Sequence, residues 1–126
     1  MDVELSRWKH RRMGIAWFGT MIDCRDPDSL AAFWREVLEY VVVFRSDALV
    51  AIAATRETRP GLGFLRVDSP KHSKNRIHLE LEPDDQQAEV DRLLALGATR
   101  VDIGQGDVSW VVMADPEGNE FCVLAH

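Results

Sequence analysis

What most constrains this chain is a repeated order of elements. Two helix starts, at Asp26 and Asp85, lie 59 residues apart, and each has one strand-like run before it and three after it. Asp26 suits an N-cap, and Pro27 suits the first helical position, where its missing N–H is no loss. Leu30, Phe33, Trp34, Val37 and Leu38 then recur as i, i+3, i+4, i+7 and i+8, one buried stripe of a helix. Around it, residues 14–24 (GIAWFGTMIDC), 41–44, 49–54 and 61–67 (GLGFLRV) predict strands. The second unit repeats the scheme, with a strand over 76–82 and a helix entered at 83–85. Its apolar stripe is Val90, Leu93 and Leu94, Gly97 ends it, and strands follow over 101–104, 108–114 and 120–125. Neither unit has the apolar surface to stand alone, so the halves are expected to pack together. The fold class read from this pattern is α+β. One domain spans residues 14–126, with modules over 14–68 and 76–125, behind a flexible basic extension of residues 1–13.

Composition narrows the function classes. A chain of 126 residues suits one domain with a real core. A net charge of -6 argues against a general nucleic-acid binder, which needs a surplus of Lys and Arg. No apolar run approaches the roughly 18 residues of a membrane span, and no apolar segment of signal-peptide length follows the basic residues Arg7 to Arg12. The expected compartment is the cytoplasm, where Cys24 and Cys122 would stay reduced.

The candidate chemistry lies in the second module. Residues 76–81 (RIHLEL) alternate strictly, with Arg76, His78 and Glu80 on one face and Ile77, Leu79 and Leu81 on the other. After the turn DPEGN, Glu120, Cys122 and Leu124 share a face against Phe121 and Val123. If these strands are neighbours, His78 and Cys122 look into one cavity. His78 then reads as a general acid or base tuned by Glu80 or Cys122, as a metal ligand, or as a plain hydrogen-bonded inward histidine. A divalent transition metal needs roughly three protein donors. Glu80 stands roughly 6.6 Å of strand rise from His78, which is far for a shared ion. Cys122 is a nucleophile only if a cation such as Arg76 lowers its thiol pKa, and is otherwise a small buried side chain. Trp17, Phe64 and Trp110 are candidate aromatic walls, with core packing the alternative for Trp110. Lys74, Asn75 and Arg76, with Lys71 nearby, suit a ligand carboxylate or phosphate, or simply a solvated loop.

Four stretches carry a family resemblance: RDPDSLAAFW, FLRVDSPKHSKNRIHLEL, LELEPDDQQAEVDRLLALGA and VVMADPEGNEFCVL. Together they resemble the vicinal oxygen chelate superfamily of glyoxalase I, extradiol dioxygenases and bleomycin-resistance proteins, and its glyoxalase-like subgroup in particular. The resemblance implies two βαβββ modules whose curved sheets form a cup, and a homodimer. Metal-binding members carry a ligand on the first strand of each module and another on the last. Carried over, those positions fall on His78, on Gly19, which has no side chain, and on Cys122 in place of the usual carboxylate. The implied function is therefore a cup that binds a small organic molecule without a tightly held metal, as a sequestering or resistance-type protein or a metal-free isomerase or lyase. The alternative is a metal-dependent lyase or dioxygenase with His78 as a ligand to Zn, Ni, Mn or Fe.

Overall fold

The computed structural model describes residues 17–125, so the expected extension and the start of the first strand lie outside the described residues. Ten elements follow in the order β1 (Gly19–Cys24), α1 (Pro27–Leu38), β2 (Val41–Arg45), β3 (Leu49–Ala53), β4 (Gly61–Arg66), β5 (Leu79–Leu81), α2 (Gln86–Ala95), β6 (Thr99–Arg100), β7 (Val111–Ala114) and β8 (Glu120–Val123). They form two four-stranded sheets, β1-β4-β3-β2 and β5-β8-β7-β6. In each, the first strand pairs parallel with the last, and the remaining pairs are antiparallel. This is the doubled strand–helix–three-strand order that the spacing predicts. Among the described residues, no helix is long and apolar enough to cross a membrane.

The helices begin where their caps dictate. The Asp26 carboxylate accepts from Ser29 N at 3.2 Å, and the Asp85 carboxylate accepts from Ala88 N at 3.1 Å. At its C-terminal end α1 stops at Glu39, which takes the left-handed conformation with φ 56°. The stripe of α1 is buried as its periodicity requires, through Leu30, Phe33 and Trp34, with Val37 and Leu38 partly covered. In α2 only Val90 and Leu93 are buried, and Leu94 points to solvent. A ten-residue helix lying on a short sheet covers a narrower stripe than an i, i+3, i+4 count assumes.

Three strands differ from the pattern. The one expected over 108–114 begins only at Val111. The strand expected over 101–104 is displaced to Thr99–Arg100, because Gly104 and Gly106 take positive φ values of 86° and 72° and turn the chain away. The strand expected over 76–82 is reduced to Leu79–Leu81. Its N-terminal part leaves the ladder because the Asn75 N–H donates to the Glu120 carboxylate, at 2.8 Å.

One apolar core serves both modules. Leu30, Phe33 and Trp34 from α1, Val50, Ile52 and Phe64 from the first sheet, Val90 and Leu93 from α2, and Met113, Phe121 and Val123 from the second sheet form a single cluster. Trp34 lies at its centre, edge-on to Phe33 at 5.1 Å and to Phe121 at 5.0 Å. Burying a tryptophan removes about 150–250 Å² from water, roughly 4–6 kcal/mol before ordering costs. Polar contacts close the same boundary. The indole N–H of Trp34 donates to buried Asp115 at 3.0 Å. Glu117 accepts from Arg25 N at 2.7 Å and Asp26 N at 2.8 Å. Arg92 donates to the Glu36 and Val37 carbonyls, at 3.1 and 3.0 Å, where α1 ends. The DPEGN segment is thus a tight turn, as its Pro and Gly predict, and also a clamp on the other module.

Candidate functional site

The site is built on the parallel pair β5 and β8. Leu79 pairs with Phe121, Glu80 with Cys122 and Leu81 with Val123. Leu79, Leu81, Phe121 and Val123 pack in or against the core, so alternation sends Glu80 and Cys122 to the other face. His78, immediately before β5, joins them there. Its Nδ1 is 2.9 Å from Glu80 Oε2 and 3.8 Å from Cys122 Sγ. One donor atom from each of the three lies within 4.8 Å of the others. Strand rise therefore does not keep Glu80 away: its side chain is long enough to turn back along the strand and meet the imidazole. With Glu80 accepting from Nδ1–H, Nε2 of a neutral imidazole is left as the acceptor.

Exposure grades across the trio. The side chains of His78 and Glu80 are 32% and 48% exposed, while Cys122 is 3% exposed. The Cys122 thiol is pushed up to about 11, first by burial, then by the charge and hydrogen bond of Glu80, with Lys74 opposing. That direction is opposite to what nucleophilic attack requires.

Among the described residues, module one carries no counterpart of this chemistry. The 59-residue shift places Gly19 opposite His78 and Met21 opposite Glu80. The strand register, Met21 with Gly63 and Glu80 with Cys122, places Gly63 opposite Cys122. Met21 lies over Gly63 so closely that a Cβ there would meet its Sδ at 2.6 Å.

Between the modules runs a cleft of about 640 Å³, with residues 20–24 of β1 on one side and residues 75–79 on the other. Trp34 and Phe121 reach it from the core side, and Asp23, Glu117 and Glu120 add carboxylates. Of the trio, the cleft reaches His78 and neither Glu80 nor Cys122. Asn75 and Arg76 also line it, whereas Lys74 does not and sits with its Nζ 3.5 Å from the Asn75 carbonyl. Lys71 pairs with Glu120 at 2.9 Å, which ties the loop before β5 down onto β8. Burial alone would raise the Glu120 carboxyl. The Asn75 N–H and Lys71 outweigh it and hold the carboxyl below its ordinary value.

The aromatic residues singled out by sequence lie elsewhere. Phe64 is fully buried in the core, because its parity in β4 matches that of Leu62 and points toward the helices. Trp17 is 66% exposed, with its indole N–H donating to Gly19 O at 3.1 Å, and Trp110 is 39% exposed; neither lines the cleft. The aromatic groups that do are Trp34 and Phe121. Trp34 reads from sequence as core, which it also is, and only the meeting of the two modules sets it behind the cleft wall. Phe121 had a local signal in its place beside Cys122.

A family described as Glyoxalase-like domain matches residues 19–124. Among curated proteins, none matches the chain in sequence. Several solved structures share the fold. A glyoxalase/bleomycin resistance protein/dioxygenase family enzyme from Burkholderia phytofirmans is 21% identical over 86% of this chain and 97% of its own, with a TM-score of 0.65. The trypanothione-dependent glyoxalase I of Leishmania major is 21% identical over 88% of this chain and 86% of its own, with a TM-score of 0.69. A variant of the fosfomycin resistance protein of Listeria monocytogenes, complexed with Mn(II) and dihydroxypropylphosphonic acid, is 13% identical over 90% of this chain and 91% of its own, with a TM-score of 0.64.

Proposed function

The chain belongs to the glyoxalase-like domain family of the vicinal oxygen chelate superfamily, and from that premise we propose that it binds a small organic molecule in the cleft between β1 and β5. The observation that carries this reading is the cleft itself, about 640 Å³, walled by both modules and reached by the imidazole of His78. That volume lies within the range of roughly 300–1,000 Å³ typical of small-molecule sites. Trp34, Phe121 and the aliphatic side chains of Ile22 and Leu79 supply apolar wall, and Asn75, Arg76 and His78 supply orienting polar groups. His78 offers Nε2 to the bound molecule while Glu80 holds Nδ1. This suits either a sequestering protein or a metal-free isomerase or lyase that moves a proton at His78.

A metal shared by both modules does not fit this donor set, because Gly19, Met21 and Gly63 put no imidazole, carboxylate or thiol opposite the second module's trio. Exposed Trp17, Phe18, Val41 and Phe44 support the homodimer as the assembled form, since a second copy would remove such surface from water.

The test is a thermal-shift screen of small carboxylates, phosphonates, diols and aromatics on chelator-treated protein. A ligand at about 100 times its Kd stabilises by about 2.7 kcal/mol, roughly a 10 °C rise in Tm for a chain of this size. The rise is expected to shrink in His78→Ala. Hits that bind His78→Ala as tightly as wild type would contradict the role given to the imidazole.

A further inference from the structure

We propose that the molecule taken by the cleft is a zwitterion, a small organic compound with an ammonium at one end, a carboxylate at the other and an apolar body between them. This rests on the ligand-binding reading above and names the chemical class of the ligand.

Five charged side chains line the cleft: Asp23, Lys71, Arg76, Glu117 and Glu120. Three of them are committed to the protein itself. Glu117 accepts from the backbone N–H groups of Arg25 and Asp26 at 2.7 and 2.8 Å, one on each carboxylate oxygen. Glu120 also uses both oxygens, on Asn75 N at 2.8 Å and on Lys71 Nζ at 2.9 Å, and so neutralises Lys71. Two charges are left. Among the described residues, neither the Asp23 carboxylate nor the Arg76 guanidinium has a hydrogen-bond or ion-pair partner, and the two do not pair with each other. They belong to opposite sides of the cleft, Asp23 to β1 and Arg76 to the segment before β5. Each side adds an uncharged polar group, Thr20 with Asp23 and Asn75 with Arg76, while Trp34 and Phe121 supply apolar wall.

Water covers both uncommitted charges while the cleft is open. A ligand that fills the cleft strips that water, and a charge left unpaired against an apolar surface opposes binding. A neutral ligand strands both charges, an acid strands Asp23, and an amine strands Arg76. A ligand carrying both charges answers each with its opposite. Its ammonium meets Asp23 and its carboxylate meets Arg76, where a guanidinium can donate two parallel hydrogen bonds. Because the two protein charges sit on different walls, the ligand's charges must be set apart along its length, with the apolar body facing the aromatic groups.

The test is an amide NMR titration of the full chain with matched compounds. One set is para-(aminomethyl)benzoate against para-methylbenzoate and para-methylbenzylamine; the other is ω-aminohexanoate against hexanoate and hexylamine. The proposal expects at least one zwitterion to bind about tenfold or more tighter than both of its single-charge counterparts. The shifts should fall at residues 20–24 and 75–79. Asp23→Asn should weaken the zwitterion to the level of the acid, and Arg76→Gln to the level of the amine. Both side chains are exposed, so both variants are expected to fold. Zwitterions that bind no tighter than the single-charge compounds, or whose affinity survives both substitutions, would overturn the proposal. Cleft shifts from the single-charge compounds alone would then leave the ligand-binding reading standing, whereas no shift at any cleft amide would remove both.

Discussion

Replacing Asp115 with alanine strands the polar groups that join the two modules. Its carboxylate, 3% exposed, accepts from Trp34 Nε1 at 3.0 Å, from Glu117 N and Asn119 N at 2.9 Å each, and from Asn119 Nδ2 at 3.0 and 3.1 Å. The indole N–H is buried with Trp34, so losing its acceptor costs the full desolvation penalty, about 1–3 kcal/mol. Glu117 and Asn119 are partly exposed, and their donors can turn to water at about 0.5–1 kcal/mol each. Asp115→Ala is therefore expected to cost about 3–5 kcal/mol, a large share of the 5–15 kcal/mol typical of a domain, and to lower Tm by roughly 10–20 °C. Urea unfolding of Asp115→Asn, Trp34→Phe and the double variant isolates the central contact, with a coupling energy of about 1–2 kcal/mol. A cost below about 1 kcal/mol for Asp115→Ala, or no coupling in the cycle, would refute this account of the module boundary.

Other outcomes follow from the same contacts. Glu120→Gln removes the ion pair with Lys71, so hydrogen exchange at the Asn75 amide should rise by about tenfold or more, while unchanged protection would show that the loop is held otherwise. Because the folded Glu120 carboxyl lies below its ordinary value of 4.5, its stabilisation is complete above 4.5 and is lost as pH falls through the lower folded value. Exchange at Asn75, compared with loops lacking carboxylate contacts after correction for the intrinsic rate, should accelerate on that acid side alone. Cys24 and Cys122 are both pushed up to about 11, with burial the leading cause, so iodoacetamide at pH 8 with chelator present should modify the native protein more than about 100-fold more slowly than the unfolded chain. Comparable rates would contradict their burial. Arg92→Ala should cost about 1–2 kcal/mol by stripping the Glu36 and Val37 carbonyls of their donors, with Arg92→Lys restoring only part; a loss under about 0.5 kcal/mol would show those contacts to be passive.

The fold was legible because local signals agreed with one another. Asp26 and Asp85 cap their helices as their chemistry predicts, and once β5 and β8 pair, the parity of RIHLEL and EFCV brings His78 and Cys122 together. What was not legible depended on side-chain reach and on meetings between modules. Strand rise measures Cα positions, so it understated how far Glu80 could bend back to His78. Over Gly61 to Leu65 both faces of β4 are apolar or glycine, so parity alone could not say which side meets the helices, and Phe64 went to the core. The walls Trp34 and Phe121 and the carboxylates of Asp23 and Glu117 come from segments far apart in sequence. Their meeting follows from contacts between the two modules, such as Trp34 edge-on to Phe121, which no single window contains.

The most direct test of the central claim is backbone amide NMR of the chelated protein, titrated with the strongest hit of the small-molecule screen, beside a cleft-filling Thr20→Trp variant. Binding between β1 and β5 predicts that shifts concentrate at residues 20–24 and 75–79, with His78 among them, and vanish in Thr20→Trp. Shifts centred elsewhere, or undiminished when the cleft is filled, would contradict it.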